Sequence, residues 1–214
     1  MSTPALTDPS RPSSGLGWAV GLLLASGVAL ASVRYLAGGE LMIPPPLKPN
    51  FMDHPIGFYV HIAAASTALF IGPWQFFARL RLAAPRVHRA LGKVYVAACF
   101  VGGTAALTIA PESNGGWVAA SGFGCLAVLW LWTTGMAVVA VRAGRIADHR
   151  RWMRRSFALT LAGVTLRLYL PLAFIGLAPF STVYAGIAWL CWVPNLLLAD
   201  RFGRSDSTAS IAAR

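Results

Sequence analysis

The residues with chemical potential are few. The chain holds four histidines, His54, His61, His88 and His149, and one arginine, Arg167, set deep inside an apolar run. Imidazoles ligate haem iron and exchange protons near neutral pH, while arginine fixes carboxylates and phosphates. His88-Arg89 and His149-Arg150 are two His-Arg pairs 61 residues apart. Two imidazoles at one depth on neighbouring helices can ligate a b-type haem, so His88 and His149 would be its metal ligands, with Arg89 and Arg150 on the propionates. The same pairs can instead cap helix starts and hold lipid phosphate.

Arg167 is the costliest residue. No Asp or Glu lies in any apolar run, so its counter-charge must be helix carbonyls, a water cavity or a bound anion. Counted from Ser156, it falls close to mid-membrane. His149, Met153, Ser156, Thr160, Gly163 and Arg167 step by three and four along one face of an unbroken helix. His61 shares a face with Ala64, Ala65, Ala68 and Gly72, small residues that admit another helix or a flat cofactor. Its possible partners are Arg167, Tyr169, Asn195 or a ligand. The cofactor-binding candidates are therefore His61, His88, Arg89, His149, Arg150 and Arg167, for a b-type haem or a quinone headgroup.

These residues must be carried by membrane helices. Of 214 residues, 57% are hydrophobic and 12% charged, against about 25% charged in soluble proteins. Six apolar runs, 16–36, 56–77, 90–109, 117–141, 156–176 and 182–198, match the ~20 residues that cross a bilayer as helix. Lipid offers the peptide group no partner, so each run is expected to be helical. The fold expected is an all-α polytopic bundle of six transmembrane helices.

The net charge of +11 sets its orientation. Segment 79–93 holds five basic residues and segment 142–155 six. With Arg11, Arg201, Arg204 and Arg214, fifteen of the eighteen basic residues fall on one side if the runs alternate. The positive-inside rule then places both termini in the cytoplasm, with the chain expected in an inner membrane. Basicity spent on topology is no sign of a nucleic-acid partner. The partners expected are the bilayer, anionic lipid at the cytoplasmic face, and another membrane protein or a second copy.

Along the chain, 1–14 reads as a disordered tail, 15–36 as the first helix, and 37–55 as a Pro-rich outer segment that should run extended. Residues 56–200 form the five-helix body and 201–214 a second tail. Ala29-Leu30-Ala31 resembles a signal-peptidase site, but the weak preceding tail favours an uncleaved anchor. Cys99, Cys125 and Cys191, without a CxxC pair, read as small buried residues.

A shift of 61 residues lays Arg81, His88, Arg89 and Lys93 on Arg142, His149, Arg150 and Arg154. Each segment joins an inward to an outward helix, the pattern of a tandem hairpin repeat. The chain also resembles the bacterial membrane proteins of domain of unknown function 2306 over about residues 55 to 200. The likeness rests on His61, Gly72 and Gln75, on Pro85-Arg86-Val87-His88-Arg89 with Gly92-Lys93-Val94-Tyr95, and on His149-Arg150-Arg151-Trp152-Met153. Arg155-Ser156, Thr165-Leu166-Arg167, Trp192 and Asn195-Leu196 complete it. This resemblance implies the membrane architecture and no activity.

The six-span layout resembles ascorbate-reducible cytochromes b, which carry two helix-paired histidine sets. Here the fourth helix has none, so a two-haem wire is not expected. HExxH, GxGxxG and GxxxxGK[ST] are absent, and no hydrolase or transferase motif occurs. The functional expectation is a redox membrane protein holding a b-type haem or a quinone. The alternatives are a small-solute transporter or a noncatalytic assembly protein.

Overall fold

A computed structural model describes residues 15–176 and 178–201; the two tails expected at 1–14 and 202–214 lie outside the described residues. Among the described residues all regular structure is helical, and six helical stretches are long and apolar enough to cross a membrane. The all-α six-span expectation therefore holds.

The spans are α1 (Gly15–Gly38), α3 (Pro55–Ile71), α5 (Pro85–Ile109), α6 (Gly116–Arg142), α7 (Ile146–Thr160) continued by α8 (Ala162–Tyr169), and α9 (Phe180–Leu190). The last span runs on to Arg201. Two short helices, α2 (Lys48–Asp53) and α4 (Ala78–Ala83), lie in the connections. Proline sits in the first turn of α3 and α5, where its missing N–H is no loss and its fixed φ suits a helix. Pro73 follows α3 and opens a 3-10 turn, ending the span. Gly115, at φ 101°, turns the chain into α6; a Cβ there would lie 2.8 Å from the Ser181 carbonyl.

Packing runs α1 on α3, α3 on α5, α5 on α6, and α6 on both α7 and α9, with α8 closing against α1. The core is Tyr95, Cys99, Trp130, Leu159, Ile187, Cys191 and Trp192. Ala25 and Ala29 of α1 pack with Leu69 and Val164 in a smaller cluster. Charge divides the bundle into a basic end, holding 79–93 and 142–155, and a proline-rich end, holding 39–54 and 110–115.

Four expectations need correction. The fifth span begins at Ile146, ten residues before its apolar run, because the basic residues of its first turns are still helical. It is also interrupted at Leu161, and a 3-10 turn, Leu170–Ala173, follows at Pro171. The segment expected to run extended instead folds into two 3-10 turns and α2, with Ile43, Asn50 and Phe51 buried. Phe51 anchors it edge-on against Phe58 and Tyr59 of α3. Cys99 and Cys191 are buried, but Cys125 is exposed on α6.

Candidate functional site

The face of α3 bearing His61 meets α5 where small residues allow it. A Cβ on Gly102 would come within 3.3 Å of Ala64 Cβ and 3.4 Å of the Ala65 nitrogen. That approach brings His61 Nδ1 to 2.9 Å from the Gly102 carbonyl oxygen. A carbonyl only accepts, so Nδ1–H donates; the neutral ring then keeps Nε2 as an acceptor. The partner is thus a backbone carbonyl, and Asn195 is engaged elsewhere, with Thr165 and the Ala158 and Cys191 carbonyls. The small-residue face admits α5 at Ala64 and Ala65, and Phe157 at Gly72.

Arg167 lies six residues before the end of its span at Ala173, hence about 9 Å from the proline-rich end at 1.5 Å per residue. The span is 28 residues, longer than the ~20 that cross the hydrocarbon as helix, so Arg167 sits nearer its proline-rich end than its basic one. His61 is also six residues, about 9 Å, from the start of α3 at Pro55. The two therefore share a level. Arg167 Nη1 donates to the Gly163 carbonyl at 2.9 Å and Nη2 to Ser32 Oγ at 2.8 Å. The Ser32 hydroxyl in turn donates a hydrogen bond to the Val28 carbonyl at 2.6 Å. Helix carbonyl and hydroxyl bonds, with no carboxylate among the described residues, hold the cation.

His61 and Arg167 line one cavity of about 250 Å³. Its walls come from every span, with Tyr35, Asn50, Trp130, Thr160 and Tyr184 its main other polar or aromatic residues. Asn50 Nδ2 reaches the Ile109 carbonyl at 3.4 Å, and its buried Oδ1 has no partner. The rest of the lining is largely aliphatic: Ile62, Leu69, Leu126, Leu159 and Leu166 among them. An apolar cavity with a few converging polar groups is what amphipathic ligands require.

Below the cavity toward the basic end lies a buried hydroxyl cluster. Tyr95 Oη is 3.0 Å from Ser156 Oγ and 2.8 Å from Thr160 Oγ1. Trp130 Nε1 donates to Thr160 Oγ1 at 3.0 Å, and Thr134 meets Ser156 at 2.7 Å. Inter-helix hydroxyl bonds of this kind join helices where lipid supplies no hydrophobic drive. Tyr95 and Ser156 are themselves 61 residues apart, the shift that superposes the two His-Arg segments.

His88 and His149 sit seven residues before Tyr95 and Ser156, so both lie about two turns nearer the basic end. Neither lines the cavity. His149 Nδ1 donates to the Ala137 carbonyl at 2.9 Å, and the buried His88 Nδ1 has no partner. Arg89 and Arg150 are exposed. The candidates thus fall into two sets: His61 with Arg167 near the proline-rich end, and His88, Arg89, His149 and Arg150 at the basic end. The face expected to run from His149 to Arg167 is divided among the basic end, the hydroxyl cluster and the cavity. No group of three or more His, Cys, Asp or Glu residues able to hold a metal ion occurs among the described residues; a two-histidine haem site falls outside that criterion.

Sequence reasoning missed Ser32, Tyr35, Asn50 and Tyr184 as cavity residues, and Tyr95, Thr134 and Trp130 as cluster residues. A lone hydroxyl or amide in an apolar run carries no periodic signal. The one usable hint was the i−4 spacing of Ser156 from Thr160.

Six apolar helices around a largely apolar cavity with a few polar groups define a multi-pass membrane protein. The family described as a predicted membrane protein, DUF2306, matches residues 58–202, and the chain belongs to it. No curated protein and no solved structure matches the chain. The matched region holds His61 and Arg167, while Ser32, Tyr35 and Asn50 lie before it.

Proposed function

We propose that this protein is a redox membrane protein of the inner membrane whose cavity binds the headgroup of a quinone. The observation that carries the reading is the shared cavity of His61 and Arg167. A quinone carbonyl accepts from the guanidinium, and a quinol hydroxyl donates to His61 Nε2, so both redox forms find a matched group. The aliphatic walls suit the ring and the first part of the tail. Interconversion of the two forms moves two electrons and two protons; a one-electron carrier protein of the haem or iron–sulfur class would exchange the electrons. The haem reading at His88 and His149 ranks second, because these rings line no part of the cavity.

The basic end faces the cytoplasm on this reading, as the positive-inside rule directs, and the cavity lies in the outer half of the bilayer. Residues 15–36, 37–55 and 56–200 act as anchor helix, outer cap and catalytic or binding body.

Solvent extraction of the detergent-purified protein should release a quinone identifiable by its absorbance and mass. Because Trp130 lines the cavity, a soluble short-chain quinone should quench tryptophan fluorescence saturably, with affinity about 10-fold or more weaker in His61→Leu. Absence of both an extractable quinone and saturable quenching defeats the reading, and a Soret band in their place shifts the choice to haem.

A further inference from the structure

A second polar site lies at the basic end, independent of the cavity. Gln75 follows the Pro73 break and is only 7% exposed, yet its buried Nε2 has no partner. Gly92 of α5 packs against it: a Cβ there would lie in ordinary contact, 3.4 Å from Gln75 Oε1. Four residues before Gly92 stands His88, whose buried Nδ1 is also unpartnered. Arg81 folds over the same turn, its Nη1 donating to the Phe76 carbonyl at 2.9 Å and, at 3.4 Å, to that of Gln75.

The charges here are of one sign. Burial first, and the charge of Arg150 second, hold the Arg81 guanidinium below its ordinary value. The nearby acids are committed elsewhere: Asp148 to Arg145 and Arg151, each at 3.9 Å, and Asp200 to Arg155 at 2.7 Å. Among the described residues, neither Arg81 nor Arg150 has a carboxylate within ion-pair distance. A buried amide donor left unpaired, with an unpartnered imidazole that can donate from Nδ1, beside unneutralised guanidinium groups is the complement of an anion with several acceptor oxygens.

We propose that Gln75, Arg81, His88 and Arg150 form a phosphate-binding site that takes the headgroup phosphate of an anionic membrane phospholipid. Its place fits: Arg81 and Arg150 belong to the basic segments that flank the apolar spans, where headgroups lie, and none of the four residues lines the cavity. A merely basic surface would attract anionic lipid too, at about 1 kcal/mol per cation, roughly a fivefold effect. The amide of Gln75 separates the two cases, because it carries no charge.

The test is thermal protection of the full-length protein in neutral detergent, titrated with phosphatidic acid, phosphatidylcholine or inorganic phosphate alone. Phosphatidic acid should protect the wild type, and Gln75→Leu should need about five- to tenfold more for the same protection. The unliganded Gln75→Leu protein should melt no lower than wild type, since an unpaired buried amide is removed. Arg150 is exposed, so Arg150→Gln folds regardless and should lose more than the fivefold of a diffuse charge effect. Protection by inorganic phosphate but not by phosphatidic acid would keep the site and assign it a soluble phosphate. Equal protection of wild type and Gln75→Leu, or equal protection by phosphatidylcholine, overturns the proposal.

Discussion

Replacing Arg167 by methionine separates a cation kept for ligand from one kept for the fold. The arginine makes two bonds, to the Gly163 carbonyl at 2.9 Å and to Ser32 Oγ at 2.8 Å, each worth about 1.5–3 kcal/mol for a charged donor. Against them stands the cost of holding a guanidinium below the membrane surface, about 2.5–3.5 kcal/mol at the helix centre and less toward the interface. The removal also strands little. Ser32 keeps its bond to the Val28 carbonyl, and methionine fills the space with a flexible apolar chain. The net change in stability should therefore lie between about zero and a loss of about 3 kcal/mol, as for other buried charges replaced by apolar residues.

Quinone affinity should move far more. Loss of one charge-assisted bond to a carbonyl in a water-poor cavity costs about 1.5–3 kcal/mol, or roughly 10- to 150-fold. Equilibrium unfolding in mixed detergent gives the first number and tryptophan quenching the second. Unchanged quenching with a stability loss above about 3 kcal/mol would refute the reasoning, because Arg167 would then be a clasp between α1 and α8.

Tyr95→Phe should cost only about 0.6–1.7 kcal/mol in the same unfolding assay, the range of inter-helix hydrogen bonds in bilayers. Ser156 retains Thr134 and Thr160 retains Trp130, so no hydroxyl is orphaned. Gly72→Ala should be worse, by about 1–3 kcal/mol of overpacking: its Cβ would lie 2.6 Å from Phe157 Cε2, and Phe76 backs that ring at 5.1 Å. For orientation, single cysteines at Glu112 and Arg145, in a background without the three native ones, should label oppositely. A membrane-impermeant maleimide should reach Glu112→Cys in intact spheroplasts and Arg145→Cys only after lysis; the reverse pattern would invert the topology.

The spans were readable because lipid imposes a single rule, apolar length, on every helix at once. Where that rule relaxes, reading failed. Helix α7 starts among arginines, which a hydropathy pattern excludes although arginine is a good helix former. The prolines of segment 39–53 suggested extension, yet Pro45 and Pro49 occupy first-turn positions where proline favours a helical turn. For the candidate site, His61 and Arg167 stood out because charge and imidazole are rare in an apolar run. Their common level was hidden, since it depends on where each span ends. Asn50 and Ser32 were unreadable because their importance arises only from helices that are distant in sequence.

The cavity is built by two parts of the chain, and the family match covers the second of them. His61 and Arg167 belong to the stretch that matches the family, whereas Ser32, Tyr35, Ile43 and Asn50 come from residues before it. That earlier part is fastened by α1 along α3, the Arg167–Ser32 bond, Phe51 against Phe58 and Tyr59, Asn114 on the Pro46 carbonyl, and Asn50 on the Ile109 carbonyl. Chemistry and fit are therefore separately adjustable. Substitutions at Ile43, Leu47 or Asn50 can widen or narrow the chamber while the Gly102 carbonyl keeps its imidazole, and Gly163 with Ser32 its guanidinium, in place.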